Sequence, residues 1–258
     1  MTRLHRDGPV LRVGHRGAAA LEPENTLASL RRAVELGVDF VEFDVLDLAD
    51  GTLVLAHSDD LLEVSHGAAG GSVRPLRLAE LREVAPDLPT FEQALELFAE
   101  NGAGLHVDVK CLRRGRDVSA ALRRHGLVDR AVASSHWTPT LRDLRAEEPE
   151  LAVGLTYPED RRGLARRRLL APLVPTAVGV LARALPRRLP RWLRSSGASV
   201  AMLHYAVLSP AVVERCHQAG AALWTWTVNE RSLLERVVAL GVDGVTSDDP
   251  RLFLQFST

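Results

Sequence analysis

Phe40-Val41-Glu42-Phe43-Asp44-Val45 is the stretch on which the fold turns. Extended backbone sends successive side chains to opposite faces, so Val41, Phe43 and Val45 share one face and Glu42 and Asp44 the other. Leu105-His106-Val107-Asp108-Val109-Lys110 repeats the pattern, with Leu105, Val107 and Val109 on one face and His106, Asp108 and Lys110 on the other. The apolar faces suit packing against helices, which leaves three carboxylates and an ammonium facing a common interior. Unpaired charge there would be very costly, so something must compensate it. Around these runs, short β-like segments alternate with longer helix-like ones, the pattern of parallel strands joined by crossover helices. Eight strands are expected near residues 10–14, 40–46, 104–109, 130–135, 152–156, 199–203, 222–227 and 243–247. The expected fold is a (β/α)8 TIM barrel. Either charged strand alone reads better as a buried ion-pair network; two together favour a site, because inward charges at strand ends of such barrels serve catalysis.

The flanking segments add chemistry. Between the first two strands Pro23 precedes a helix that Asn25 or Thr26 can cap, with Leu27, Leu30, Ala33 and Val34 as its apolar stripe and Gly37 as its stop. Asp50-Gly51 signals a tight hairpin after strand two. A two-residue turn there would oppose Ala49 to Thr52 and Asp44 to His57, placing that imidazole beside the carboxylates. Strand one ends in Val13-Gly14-His15-Arg16-Gly17, where the glycines allow close backbone approach and Arg16 offers a fork for phosphate oxygens. The candidate set is therefore His15 and His57 as an acid/base pair, Glu42, Asp44 and Asp108 as oxygen donors, and Arg16 and Lys110 as cations. Oxygen-only donors suit one divalent cation, Mg²⁺ or Ca²⁺. Cations beside it suit an anionic substrate whose charge grows in the transition state, as in phosphoryl transfer. No G-x-S-x-G elbow, Walker A loop or dinucleotide fingerprint is present.

Composition sets the remaining bounds. The 258 residues are 46% hydrophobic and 25% charged, consistent with one globular domain spanning 1–258. A net charge of −1 supplies no general field for nucleic acid, and none is expected as a partner. Cys111 and Cys216 form no disulfide framework, and the N-terminus lacks the apolar core of a secretory signal, so a cytoplasmic location is expected. From Arg161 to Arg194 the chain has ten arginines, interleaved apolar residues and prolines, and no acid. That segment is expected to be an insertion in a βα-loop, either an ordinary solvated one or a peripheral contact with a membrane surface.

The ordered set His15-Arg16-Gly17, Pro23-Glu24-Asn25-Thr26, Glu42-x-Asp44-Val45, Asp50-Gly51 and His57 resembles the signature of the glycerophosphodiester phosphodiesterase family. Pro89-Thr90-Phe91-Glu92, Trp226-Thr227-Val228-Asn229 and Gly241-Val242-Asp243-Gly244 continue it, so the likeness runs from His15 to Pro250. The resemblance implies a barrel of the phospholipase-C-like phosphodiesterase type and hydrolysis of glycerophosphodiesters to glycerol 3-phosphate and an alcohol. It implies His15 and His57 as general acid and base, Glu42 and Asp44 on the cation, Arg16 on the phosphate and Trp226 lining the pocket. Lys110 joins the substrate-binding set, while Glu22 or Glu24 is expected to serve the first helix as cap or dipole partner. Three positions depart from the family. Asp108 stands where the third ligand is usually Glu, Ser58 rather than Asp follows His57, and Ser135-His136 replaces Ser-Phe. The Asp108-x-Lys110 form is similar to the venom phospholipase D toxins. That opens a lysophospholipase D or sphingomyelinase D-like activity on single-chain lipids, giving linear or cyclic phosphate. A non-catalytic barrel binding phosphorylated ligands is a third reading, disfavoured because both histidines and all three carboxylates are in place. The alcohol, the choice of cation and the oligomeric state stay open at this point.

Overall fold

The computed structural model describes residues 2, 4–6, 8–158 and 174–254. Eight parallel strands form a closed barrel: β1 (Leu11–Gly14), β2 (Phe40–Asp47), β4 (Gly104–Val109), β5 (Ala131–Ser135), β6 (Ala152–Tyr157), β7 (Val200–His204), β8 (Ala222–Trp226) and β9 (Gly244–Ser247). β1 pairs with both β9 and β2, which closes the ring, and β3 (Leu53–Leu55) adds antiparallel to β2 outside it. The described helices are α1 (Leu27–Glu35), α2 (Leu61–Val64), α3 (Leu78–Val84), α4 (Phe91–Ala99), α5 (Gly115–Arg124), α6 (Thr138–Glu147), α7 (Val174–Ser196), α8 (Pro210–Gln218), α9 (Arg231–Ala239) and α10 (Arg251–Leu254). Among the described residues, no helix is long and apolar enough to cross a membrane.

The alternation in β2 sorts its side chains as expected. Val41, Phe43 and Val45 are fully buried under the helices, and Phe43 packs against Phe91 and Phe98 of α4 at centroid distances of 6.2 and 5.7 Å. The barrel interior is layered. Leu11, Val13, Phe40, Val132, Met202 and Trp224 fill its N-terminal end with apolar volume. Above them β2 and β4 register Glu42 against His106 and Asp44 against Asp108, so the charged residues gather toward the C-terminal end. The lower layer is tight: a Cβ added at Gly244 would lie 2.7–2.9 Å from the Trp224 ring. Gly244→Ala should therefore cost about 1–3 kcal/mol of stability by overpacking, read as a lowered urea midpoint at constant slope.

Thr26, not Asn25, caps α1; its hydroxyl accepts from the Ser29 amide at 3.2 Å. Asn25 is spent on Asp44, as described below. The hairpin register also differs from expectation. Pairing runs Val45↔Leu55, Leu46↔Val54, Asp47↔Leu53, which is one residue out from the two-residue turn. Residues 49–51 form a three-residue loop closed by the Leu48–Thr52 backbone hydrogen bond at 2.9 Å, with Gly51 at φ +84° as its left-handed member. Asp50 stabilises that longer loop by accepting from the amides of Thr52 at 3.0 Å and Leu78 at 2.9 Å. Asp44 consequently has no partner in β3, and the chain leaves the sheet after Leu55.

Beyond the hairpin, residues 56–90 carry α2 and α3 and build a second small core. Leu61, Val73, Leu81 and Ala85 pack there against Leu46, Leu48 and Val54. Of the arginine-rich segment, 161–173 lie outside the described residues. From 174 onward it is α7, the crossover helix between β6 and β7, seated by Leu185, Leu189 and Leu193.

Candidate active site

His15, Arg16, Glu42, Asp44, His57, Asp108, Lys110 and Trp226 all line one cavity of about 130 Å³ at the C-terminal ends of the strands. They reach it from five places: the loop after β1, strands β2, β4 and β8, and the segment after β3. His57 arrives because β3 ends at Leu55; in continued pairing it would oppose Phe43 and face the helices. His57 also borders a second cleft of about 230 Å³, between the 56–90 segment and the start of α1.

Each carboxylate has its own partners. Glu42 Oε2 accepts from the Arg16 amide at 2.9 Å and lies 3.9 Å from His15 Nε2. Asp44 is bracketed by Lys110 Nζ at 3.0 Å and Arg16 Nε at 3.2 Å. Asn25 closes a two-point clasp on Asp44: its Nδ2 donates to Oδ2 and its Oδ1 accepts the Asp44 amide, both at 3.0 Å. Asp108 pairs with Lys110 and accepts from Ser134 Oγ at 2.8 Å and Thr156 Oγ1 at 3.3 Å. His106 donates through Nε2 to Ser134 Oγ at 2.9 Å, since that hydroxyl's proton goes to Asp108. Burial holds His106 down to about 4, so it is a neutral support beneath the site.

Glu24 corrects the helix-cap expectation. Both its oxygens accept from Arg16 Nη1, at 2.8 and 2.7 Å, so it holds the guanidinium over the cavity. Arg16 is thus shared between Glu24 and Asp44.

The histidines sit in contrasting surroundings. Burial works to lower the His15 pKa, but a 2.5 Å contact from Nδ1 to Asp248 Oδ1 and the charge of Glu42 outweigh it and leave the value raised. Asp248 is itself oriented by Asn229, whose Oδ1 accepts the Asp248 amide at 2.9 Å. For His57 burial prevails over Asp44 and the pKa is lowered; its Nδ1 lies 3.4 Å from Glu63 Oε1, a weak contact from α2. Sequence reasoning missed Asp248, Asn229, Asn25 as a clasp, and the His106–Ser134 support. The signal for Asp248 was available, because an acid immediately after the last barrel strand sits at the catalytic rim.

Carboxylates outnumber the fixed cations of the cavity, an imbalance that a divalent ion would offset. Lys110 and Arg16 face Glu42, Asp44, Asp108 and Glu24. Lys110 and Arg16 hold Asp44 well below the usual carboxylate range despite its burial. The shortage falls on Glu42, pushed up to about 7 by burial and by the Asp44 charge. One oxygen from each of Glu42, Asp44 and Asp108 lies within 4.8 Å of the others. This all-oxygen donor set fits a hard divalent ion such as Mg²⁺ or Ca²⁺. Trp226 forms one wall, with Nε1 donating to the Met202 carbonyl at 3.2 Å and the ring edge-on to His204 at 5.0 Å.

Comparison with known proteins agrees with this geometry. The model of the glycerophosphoryl diester phosphodiesterase family matches residues 15–252. A glycerophosphodiester phosphodiesterase of Caldanaerobacter subterraneus subsp. tengcongensis is 27% identical, over 94% of this chain and 95% of that protein. A phosphodiesterase of Oleispira antarctica, its structure solved in complex with the product sn-glycerol-3-phosphate, is similar with a TM-score of 0.72 and 25% identity over 93% of each chain. A glycerophosphodiester phosphodiesterase from Parabacteroides distasonis shares the fold, with a TM-score of 0.72 at 24% identity over 95% of both chains.

Proposed function

The chain belongs to the glycerophosphoryl diester phosphodiesterase family, and from that premise we propose that it hydrolyses glycerophosphodiesters to glycerol 3-phosphate and an alcohol. The observation that carries this reading is the convergence of two imidazoles, three carboxylates and two cations on one cavity. Glu42, Asp44 and Asp108 would hold the divalent cation, which supplies positive charge against the phosphate oxygens. Arg16 and Lys110 add to that charge from protein groups already fixed by Glu24, Asp44 and Asp108. One histidine takes the proton of the attacking water as its oxygen bonds to phosphorus. The other gives a proton to the departing alcohol oxygen as the phosphorus–oxygen bond to it breaks. Asp248 orients His15 for its share of this exchange. Trp226 offers an apolar wall to the glycerol, and the cleft that shares His57 offers room for the alcohol.

The Asp108-x-Lys110 pairing keeps a second reading in view, cleavage of lysolipids with intramolecular attack. ³¹P NMR of the purified protein with glycerophosphocholine and with lysophosphatidylcholine separates the two. Glycerol 3-phosphate from the first substrate, with slower choline release from the second, is the expected result. A dominant cyclic phosphate from the lysolipid, with glycerophosphocholine untouched, would overturn the assignment.

A further inference from the structure

α7 carries two stripes. Leu185, Leu189, Leu193 and Ser196 are buried against the barrel. Arg183, Arg187, Arg191 and Arg194 follow the same spacing of four, four and three residues and are all exposed. The two sets are offset by two residues, about 200° around a helix of 3.6 residues per turn, so the arginines face directly away from the barrel. Val180, three residues before Arg183 and 59% exposed, extends that outer stripe toward the catalytic end. From Arg183 to Arg194 the stripe spans roughly 17 Å at 1.5 Å per residue.

Nothing within the helix neutralises this face, because Val174–Ser196 contains no acid. Some arginines in or beside other helices pair locally instead: Arg32 with Glu35, Arg114 with Asp117, Arg231 with Glu235. Like charges four apart oppose helix formation, and Pro186 and Pro190 remove two backbone donors from the same helix. The leucine stripe holds α7 in place against those costs. Among the described residues no acid pairs with this cationic face, which on a chain of net charge −1 suits an anion from outside the chain.

We infer that the outer face of α7 docks on an anionic lipid surface. Guanidinium forks suit lipid phosphates, and an exposed valine in line with them suits the apolar margin beneath the headgroups. A nucleic-acid phosphate backbone would satisfy the arginines but leave Val180 without a role. Side-on docking through α7 leaves the mouth of the barrel, at the strand ends, open to dissolved substrate.

Sedimentation of the full chain with vesicles tests this independently of turnover. Binding to phosphatidylcholine vesicles containing phosphatidylglycerol should exceed binding to phosphatidylcholine alone by about fivefold or more at low salt, and fall as salt screens the charges. Arg187→Glu, Arg191→Glu and Arg194→Glu together should reduce it to the neutral-vesicle level, with thermal melting and hydrolysis of soluble glycerophosphocholine unchanged. Should that variant fail to fold, the Arg→Gln triple at the same positions gives the same reading without new charge. Equal sedimentation with both vesicle types, undiminished binding by the variant, or binding to duplex DNA without binding to vesicles would each overturn the inference. Loss of the soluble activity in the unmodified protein would instead count against the proposed reaction.

Discussion

Replacing His57 by alanine should lower kcat on glycerophosphocholine by about 10²–10⁴-fold, the range for loss of a positioned acid or base. His57 lines the same cavity as Glu42, Asp44 and Asp108, yet its side chain is 26% exposed and outside the barrel core. Removing it should therefore leave the melting transition close to that of the unmodified protein. His15→Ala should cost a similar factor, and the double variant little more than either single one, because the two act on one proton exchange. Near-normal kcat for His57→Ala, in a protein that melts normally, would take that residue out of the chemistry.

Asp44→Asn should weaken divalent-cation affinity by at least about 10²-fold, a larger effect than loss of an outer support normally produces. The change keeps the volume and one oxygen but removes the charge. Asp44 lies between Lys110 and Arg16, so its loss leaves two cations with one fewer anion where the ion would sit. Asp108 still pairs with Lys110 and Glu24 with Arg16, so the uncompensated charge that makes such losses ruinous to folding is limited. Calorimetric titration with Mg²⁺ and Ca²⁺ reads the affinity. Wild-type affinity in the variant would remove Asp44 from the ligand set.

The sequence exposed the parts of this molecule that repeat a period. All eight barrel strands lie within a residue or two of their expected positions, because an apolar outward face recurs along the sheet. The inward charges of β2 and β4 were visible for the same reason. His57 was brought to the right cavity by a register that proved one residue out. Gly51 can serve as the second residue of a two-residue turn or the third of a three-residue loop, and local sequence does not separate these. The small core of residues 56–90 was invisible because its helices are four and seven residues long, too short to show a stripe. α7 was read as an insertion because Pro186 and Pro190 disguise a continuous helix. Arg16 with Glu24, Asp44 with Asn25 and His15 with Asp248 are loop-to-strand or loop-to-loop partnerships. They follow from barrel closure, which only three dimensions supply.

One divalent cation on Glu42, Asp44 and Asp108 is expected to form, with the two histidines, a single hydrolytic site. The most direct measurement follows bound ion and turnover together, on one sample stripped by chelation and then titrated with Mg²⁺ or Ca²⁺. Elemental analysis gives the ion per chain, and ³¹P NMR gives glycerol 3-phosphate formed from glycerophosphocholine. Turnover should be absent in the stripped protein and rise in proportion to occupancy, saturating near one ion per chain. Full turnover in protein that carries no ion would contradict this expectation.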